Sequence, residues 1–377
     1  MDFRFSEDEE MLRQKVRAFA EEVLAPLASE VDEKDEVSWE VVKLMAEQDL
    51  FRLVVPEEYG GLGMKAVNNC IVRDELCRIC IHADLYYAEQ LLTAYPISVY
   101  GTEEQKSKYL PALACGEKVG SFALTEPDAG SDVANMKSTA VLEGDHYVLN
   151  GNKCFASMGP FAQTYVTFAR TDPSQGSKGI SAFIVEQGTP GFEGKPMRLM
   201  GPHPMGELTF TDCRIPGGNL LGPQGKGMEV ALSTLDCVRM SVGASAIGIA
   251  RRALEEAVAY SKQRVAFGKP IAEFQSTQFK LAEMAVDIDA AELLVYRAAW
   301  LKDETGGRVT RETSMAKLFA TEMACKVVDQ ALQLHGGYGV VKGMTIERLY
   351  RAVRQPRLYE GTTEIQKVVI ARQILSG

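Results

Sequence analysis

At 377 residues, with 46% apolar and 24% charged residues, the chain is too long for one hydrophobic core and is expected to pack as two or three units. Its 41 basic and 51 acidic residues give a net charge of −10, which excludes a general binder of nucleic acid or of anionic membrane surfaces. The longest small, apolar stretch, 240–250, falls well short of the roughly twenty residues of a membrane span. A soluble cytoplasmic protein without membrane insertion is expected, or one of the mitochondrial matrix if a presequence has been removed.

The first 120 residues read as helical. Ser6-Glu-Asp-Glu9 is a capping box, and Leu12, Val16, Phe19 and Val23 follow at helical spacing until Pro26, which is expected to end the run. Further helices are predicted at 38–50, 65–80 and 103–114, separated by Pro-Glu-Glu-Tyr-Gly-Gly at 56–61 and by Tyr95-Pro96, both of which disfavour continued helix. Cys77-x-x-Cys80, with His82 beyond, has metal-like spacing. No second cysteine pair accompanies it, and residues three apart also share a helix face. The eight cysteines are expected as free, mostly buried thiols in a reducing compartment.

From 121 to 215 the period changes. Tyr147 and Leu149, the runs 165–168 and 180–185, and Leu208-Thr-Phe210 are short β-rich segments between turn residues, which predicts a small antiparallel β domain. A Pro/Gly-rich connection at 216–227 closes it. The remainder carries long helices, with Ile247, Ala250, Leu254 and Val258 in one and Leu281, Met284, Ile288, Ala291 and Val295 in another, economically a four-helix bundle.

Near the C-terminus, Tyr359-Glu360-Gly361 places one carboxylate between an aromatic and a glycine, by itself no more than a turn pattern. Other segments change its meaning. These are Pro-Glu-Glu-Tyr-Gly-Gly-Leu-Gly at 56–63, Tyr-Gly-Thr-Glu-Glu-Gln-Lys-Ser-Lys-Tyr-Leu-Pro at 100–111, Phe-Ala-Leu-Thr-Glu-Pro-Asp-Ala-Gly-Ser-Asp at 122–132, Arg-Val-Ala-Phe-Gly-Lys-Pro-Ile-Ala-Glu-Phe-Gln at 264–275, and Gln-Leu-His-Gly-Gly-Tyr-Gly at 333–339. Together, in order and at domain-like spacing, they resemble the acyl-CoA dehydrogenase family over essentially the whole chain.

The resemblance implies a multi-domain α+β fold: an N-terminal helical domain (1–120), a middle antiparallel, barrel-like β domain (121–226) and a C-terminal four-helix bundle domain (227–377). It implies an FAD-dependent enzyme in which Glu360 takes the α-proton of an acyl-CoA and flavin N5 takes the β-hydride, giving a 2-enoyl-CoA. Stabilisation of the thioester oxygen falls to the Glu360 N–H and a flavin hydroxyl. By position, Phe122, Leu124, Thr125, Gly130, Ser131, Phe155, Ser157, Arg264, Phe267, Gln275, Gln333, Gly337, Thr362 and Glu364 correspond to FAD contacts, some of them reaching a neighbouring subunit of a homotetramer. Phe155 and Ser157 replace the family's usual Trp and Thr. Asp236 and Arg239 correspond to coenzyme A contacts, and Ser131, Tyr359 and Gly361 also face substrate. Electrons are expected to leave to an electron-transfer flavoprotein.

Asp84 and Leu85 fall on the helix that sets acyl preference in the family. Asp84 has two readings, a second pocket carboxylate favouring a short, branched, cyclic or polar-tailed acyl group, or a helix N-cap or surface acid. No arginine lies in that stretch, which disfavours a dicarboxylic acyl group. Two departures stand out: 200–207 lacks the family's Gly-x-Arg-x-Ser-x-Thr, and Arg351-Ala-Val-Arg354 lacks an aspartate, which predicts a missing local salt bridge. The alternatives are the reverse, enoyl-CoA-reducing direction and a non-catalytic flavin or acyl-CoA binding module. A retained base at Glu360 has no purpose in the latter.

Overall fold

The computed structural model describes residues 4–201 and 203–376. Among them the helices are α1 (Glu7–Phe19), α2 (Ala25–Val31), α3 (Trp39–Glu47), α4 (Ala66–Ile79), α5 (Ile81–Tyr100), α6 (Glu103–Ala114), α7 (Gly227–Gln263), α8 (Gln275–Thr305), α9 (Thr310–His335), α10 (Thr345–Ala352) and α11 (Thr363–Ser376). The strands are β1 (Gly120–Ala123), β2 (Thr139–Glu143), β3 (His146–Ser157), β4 (Thr164–Arg170), β5 (Ile180–Glu186), β6 (Phe192–Met197), β7 (Met205–Pro216), β8 (Leu220–Leu221), β9 (Val265–Ala266) and β10 (Lys269–Pro270). Contacts gather the chain into two compact units. One takes the stretch up to Glu33, Ala66–Asp84 and the chain from Asp236 onward; the other takes Lys34–Lys65 and Leu85–Leu235.

The first unit is helical. α1 opens on the expected capping box, with Ser6 Oγ accepting from the Glu9 amide and the Glu9 carboxylate accepting from the Ser6 amide. Pro26 does not end the run as expected. A wider turn at Ala20–Leu24 leads into α2, whose first turn holds the proline where its missing N–H forfeits no hydrogen bond.

The core of this unit is built on α4, α7, α8 and α9, where Ile71, Ile247, Met284, Ile288, Val295, Val327 and Val328 are all nearly or fully buried. Small residues let the helices approach closely. A Cβ on Gly243 would meet Val295 at 2.7 Å and one on Gly248 would meet the Asp74 carbonyl oxygen at 2.2 Å. α7 is long and apolar enough to cross a membrane by length and composition, and most of its apolar window is buried inside the protein. The eight cysteines are free, and five of them are buried.

The second unit carries an eight-stranded sheet in the order β6-β7-β3-β2-β4-β5-β8, with β1 on β4. It is not wholly antiparallel, as the alternation predicted. β1 runs parallel to β4, and Thr139 pairs in parallel with Arg170, because the β2–β3 excursion supplies the long crossover that parallel neighbours need. Tyr95-Pro96 does not break a helix either: α5 runs through it, and Ser98 Oγ donates to the Ala94 carbonyl at 2.7 Å. Burial of most of this helix overrides the local preference.

Candidate active site

Glu360 sits in the loop ahead of α11 with φ at +52°, left-handed for a residue with a side chain, and Gly361 follows at +90°. Such backbone costs on the order of 1–3 kcal/mol and persists where the surroundings enforce it. Here α9 and α11 do so. Lys317 Nζ donates to the Gly361 carbonyl at 2.8 Å, and Gln366 Nε2 donates to the carbonyls of Glu360 (3.1 Å) and Gly361 (2.8 Å). Arg357 and Thr363 are both tied to Glu322. A Cβ on Gly361 would lie 2.6 Å from Gln366 Nε2, so both the angle and the space call for glycine.

Glu360 as a whole is partly accessible, but its Oε2 is sealed and has no hydrogen-bond partner among the described residues. Its backbone N–H is likewise unused among them. Arg239 Nε and Gln366 Oε1 are further buried polar atoms without a partner. Buried polar groups are nearly always paired, so this concentration marks a place prepared for a ligand. Burial pushes the Glu360 carboxyl above its ordinary range, opposed by the positive charges of Arg73, Lys317 and Arg239 and reinforced by Asp84.

Asp84 is neither an N-cap nor a surface acid. It is buried in the first turn of α5, and the capping falls to Asp32, which accepts from the amides of Ile81 and His82. Asp84 is clamped by Arg73 of α4, Nε to Oδ1 at 2.7 Å and Nη2 to Oδ2 at 3.1 Å. Ser241 accepts from Arg73 Nη1 at 2.8 Å, and Ser245 donates to Asp84 at 2.9 Å. Thus the local stretch holds no arginine, but the preceding helix brings one, and Asp84 is a compensated charge. Leu85 beside it is buried.

On α7, Asp236 and Arg239 are buried rather than solvated, with Arg239 Nη1 3.4 Å from Asp236 Oδ1 and from Ser314 Oγ. The salt bridge expected to be missing at Arg351 is present from other sources, since Arg351 pairs with Glu347 at 2.7 Å and with Glu33. Long side chains from one turn earlier and from the N-terminal stretch take the place of the absent aspartate.

In the second unit, β1 carries Phe122, half-buried and edge-on to Phe168, and Leu124 and Thr125 follow it; Gly130 and Ser131 are exposed on the next turn. No local pattern indicates what holds this segment. Lys153, 1% exposed, reaches Glu126 at 2.8 Å, and Glu126 also accepts from the amides of Lys137 and Ser138. Although burial pushes it up, Lys153 and these amides hold the Glu126 carboxyl below its usual range.

At the end of β3, Phe155 is 57% exposed with φ at +55°, an aromatic face presented by strained backbone. Ser157 Oγ lies 3.0 Å from His203 Nε2, and the His203 amide donates to Asp35. His203 belongs to the atypical 200–207 loop, of which Pro202 lies outside the described residues. The departure from the family pattern was the one available hint of it.

Arg264 precedes a hairpin of β9 and β10 whose two turn residues, Phe267 and Gly268, have φ of +51° and +81°. Phe267 at the tip is 96% exposed. Arg264, Tyr260, His335, Gly336 and Gly337 line a cleft of about 450 Å³ in the first unit. Gln275 and Gln333 are exposed on α8 and α9; Thr362 accepts from the Ile365 amide to cap α11, and Glu364 is exposed in its first turn. In the first unit, a guanidinium beside bare glycine backbone suits a pyrophosphate and the exposed face of Phe267 suits a flat ring, so these residues fit the nucleotide part of a flavin dinucleotide; in the second unit, the exposed face of Phe155 by itself also suits a flat ring.

A carboxylate can move a proton but no side chain takes up hydride, and the fold is that of FAD-dependent oxidoreductases acting on CH–CH bonds. Three models of the acyl-CoA dehydrogenase family match, for the N-terminal domain at residues 6–117, the middle domain at 121–213 and the C-terminal domain at 225–375. The chain belongs to the acyl-CoA dehydrogenase family.

It is 46% identical to acryloyl-CoA reductase (NADH) of Anaerotignum propionicum, covering 100% of this chain and 96% of the relative. Among solved structures it is similar to butyryl-CoA dehydrogenase from Megasphaera elsdenii (TM-score 0.95, 39% identity, 100% of both chains). It is also similar to a chain from work on the electron transferring flavoprotein of Acidaminococcus fermentans and flavin-based electron bifurcation (TM-score 0.97, 43% identity, 100% of both chains).

Proposed function

We propose that this enzyme oxidises a short, branched or alicyclic acyl-CoA to its 2-enoyl-CoA, with Glu360 as the base at the α-carbon. The observation that carries this reading is the buried, unpaired Oε2 of Glu360, held on strained backbone by bonds from α9 and α11. A carboxylate kept dry and above its ordinary pKa is matched to an acidified α-proton, and it returns the proton when the reaction runs backward. The free N–H of Glu360 would donate to the thioester oxygen as negative charge builds there.

Bound FAD supplies the hydride-accepting chemistry. Arg264 would pair with its pyrophosphate, Phe267, Gln275, Gln333 and Gly337 with its adenosine end, and Thr362 and Glu364 with the cofactor near α11. Phe122, Leu124, Thr125, Gly130, Ser131, Phe155 and Ser157 would hold the ring system. For the substrate, Asp236 and Arg239 would meet coenzyme A, and Ser131, Tyr359, Gly361, Asp84 and Leu85 the acyl thioester. Asp84 enters as half of a neutral pair with Arg73, which favours a compact or polar acyl end over a long alkyl tail.

Electron-transfer flavoprotein is the proposed acceptor, supported by the likeness to a chain studied with such a protein. A homotetramer is proposed as well. Phe279, Val286, Leu293 and Trp300, seven residues apart along α8 and each more than half exposed, form an apolar stripe that a second copy would cover. The reductive direction is the second reading, supported by a relative named acryloyl-CoA reductase. The test is anaerobic titration of the yellow protein with linear, branched and cyclic acyl-CoAs and their 2-enoyl forms. Bleaching by one acyl-CoA is expected. Glu360→Gln should keep colour and ligand binding and lose about 10²- to 10⁴-fold in rate; undiminished turnover would move the base elsewhere.

A further inference from the structure

Lys317 is a lysine in a place where lysines are rarely found. It lies on α9 with 0% exposure, and its only side-chain hydrogen bond among the described residues goes to the carbonyl of Gly361, directly after Glu360. Two of its three N–H groups are therefore unused, and a solvated surface lysine would gain nothing from such a position. Its bond spans from a rigid 26-residue helix to the strained turn that carries the base.

The groups around Glu360 come from four elements: Arg73 on α4, Asp84 on α5, Arg239 on α7 and Lys317 on α9, with Tyr359 beside it. Lys317 itself faces Glu360, Arg239, Glu322 and Arg357. Asp84 is neutralised by Arg73, and Glu322 by Arg357. The arginines keep their charge at every working pH. Among the three cations around the carboxylate, the lysine alone can lose its charge in that range.

We propose that Lys317 is a positioning residue that fixes the Glu360–Gly361 turn and, through its charge, holds the base in its ionised form, so that it sets the acid limit of activity. This rests on the reading of Glu360 as the base. Burial, with Arg239 and Arg357 adding to it, lowers the Lys317 ammonium to about 8, against the opposing pull of Glu360 and Glu322. Below that pH the ammonium is charged and opposes protonation of Glu360. Above it, the amine still donates to Gly361, and on that side of the range a carboxyl no longer depends on the lysine's charge to stay ionised.

The experiment is the pH dependence of kcat/KM between pH 5.5 and 10 for the FAD-loaded wild type, Lys317→Arg, Lys317→Met, Lys317→Gln and Glu360→Gln, using the acyl-CoA that bleaches the flavin. Flavin absorbance and a thermal melt are recorded on each protein. Lys317→Arg, which keeps charge and donor, should leave the acid limb of the wild type in place. Lys317→Met and Lys317→Gln should raise the acid limb by about one pH unit, close to tenfold in rate on the acid side.

A merely structural lysine would lower kcat at all pH values without moving the acid limb. An acid limb that moves as far in Lys317→Arg as in Lys317→Met, or one unchanged in whichever of Lys317→Met and Lys317→Gln retains flavin, would overturn the proposal. Turnover surviving in Glu360→Gln would instead overturn the reading of the base, and so separates the two failures.

Discussion

Breaking the Arg73–Asp84 pair should be far more damaging than removing it. Both side chains are within a few per cent of complete burial and meet through two hydrogen bonds of 2.7 and 3.1 Å. Arg73→Met leaves a buried carboxylate with the Ser245 hydroxyl and the weak Cys77 thiol as donors among the described residues; Asp84→Leu leaves a guanidinium with Ser241 as its acceptor there. Stranding one partner of a buried pair costs about 3–5 kcal/mol, whereas apolar residues in both places are often neutral or stabilising. At roughly 2–4 °C per kcal/mol for a unit of this size, each single variant should lower the corresponding melting transition by around 10 °C. The double variant should recover most of that. Scanning calorimetry on the FAD-loaded proteins measures it, and single effects that simply add in the double variant would refute the reasoning.

Other perturbations follow from the same geometry. Gly361→Ala forces a Cβ to 2.6 Å from Gln366 Nε2 at a φ of +90°; a loss of about 1–3 kcal/mol and at least tenfold in kcat is expected, checked by melting and turnover. Arg264→Ala should weaken FAD retention at least tenfold in equilibrium dialysis while Arg264→Lys recovers only part, because an ammonium lacks the planar fork. Lys153→Met strands the Glu126 carboxylate and should cost about 3–5 kcal/mol. Since the Glu126 pKa is lowered in the fold, its contribution is present above the unfolded carboxylate pKa and is lost as pH falls through the lower folded one. The wild type should therefore lose second-unit stability only below the ordinary glutamate range, whereas Lys153→Met, whose stranded carboxyl is pushed up by burial, should regain part of its deficit as the pH falls in a series of melts.

What local pattern encodes was legible. The capping box, the helices at 66–79 and 103–114, the buried apolar rows of α7 and α8, and the turn around Glu360 all follow from spacing within about ten residues. The prolines misled because their local cost is real but small beside tertiary burial: Pro26 fits a first turn and Pro96 is held within a mostly buried helix. Partners distant in sequence were not legible. Arg73, Lys317 and Lys153 look like charged residues of solvated helix or strand faces, and only the fold shows them buried against Asp84, Gly361 and Glu126. His203 had a faint signal, standing in a loop that departs from the family pattern.

The first unit is stitched from three stretches, with Leu85–Leu235 inserted before the last begins. On the ribosome this imposes a wait. At roughly 10 residues per second, α4 emerges about 15 s before the α7–α9 helices that share its core. The Glu360 turn cannot be locked until Lys317 and Gln366 have both been synthesised. Nascent chains should accordingly expose α4 to chaperones throughout synthesis of the insert, and competence for chemistry should arrive abruptly with α11 instead of accumulating along the chain.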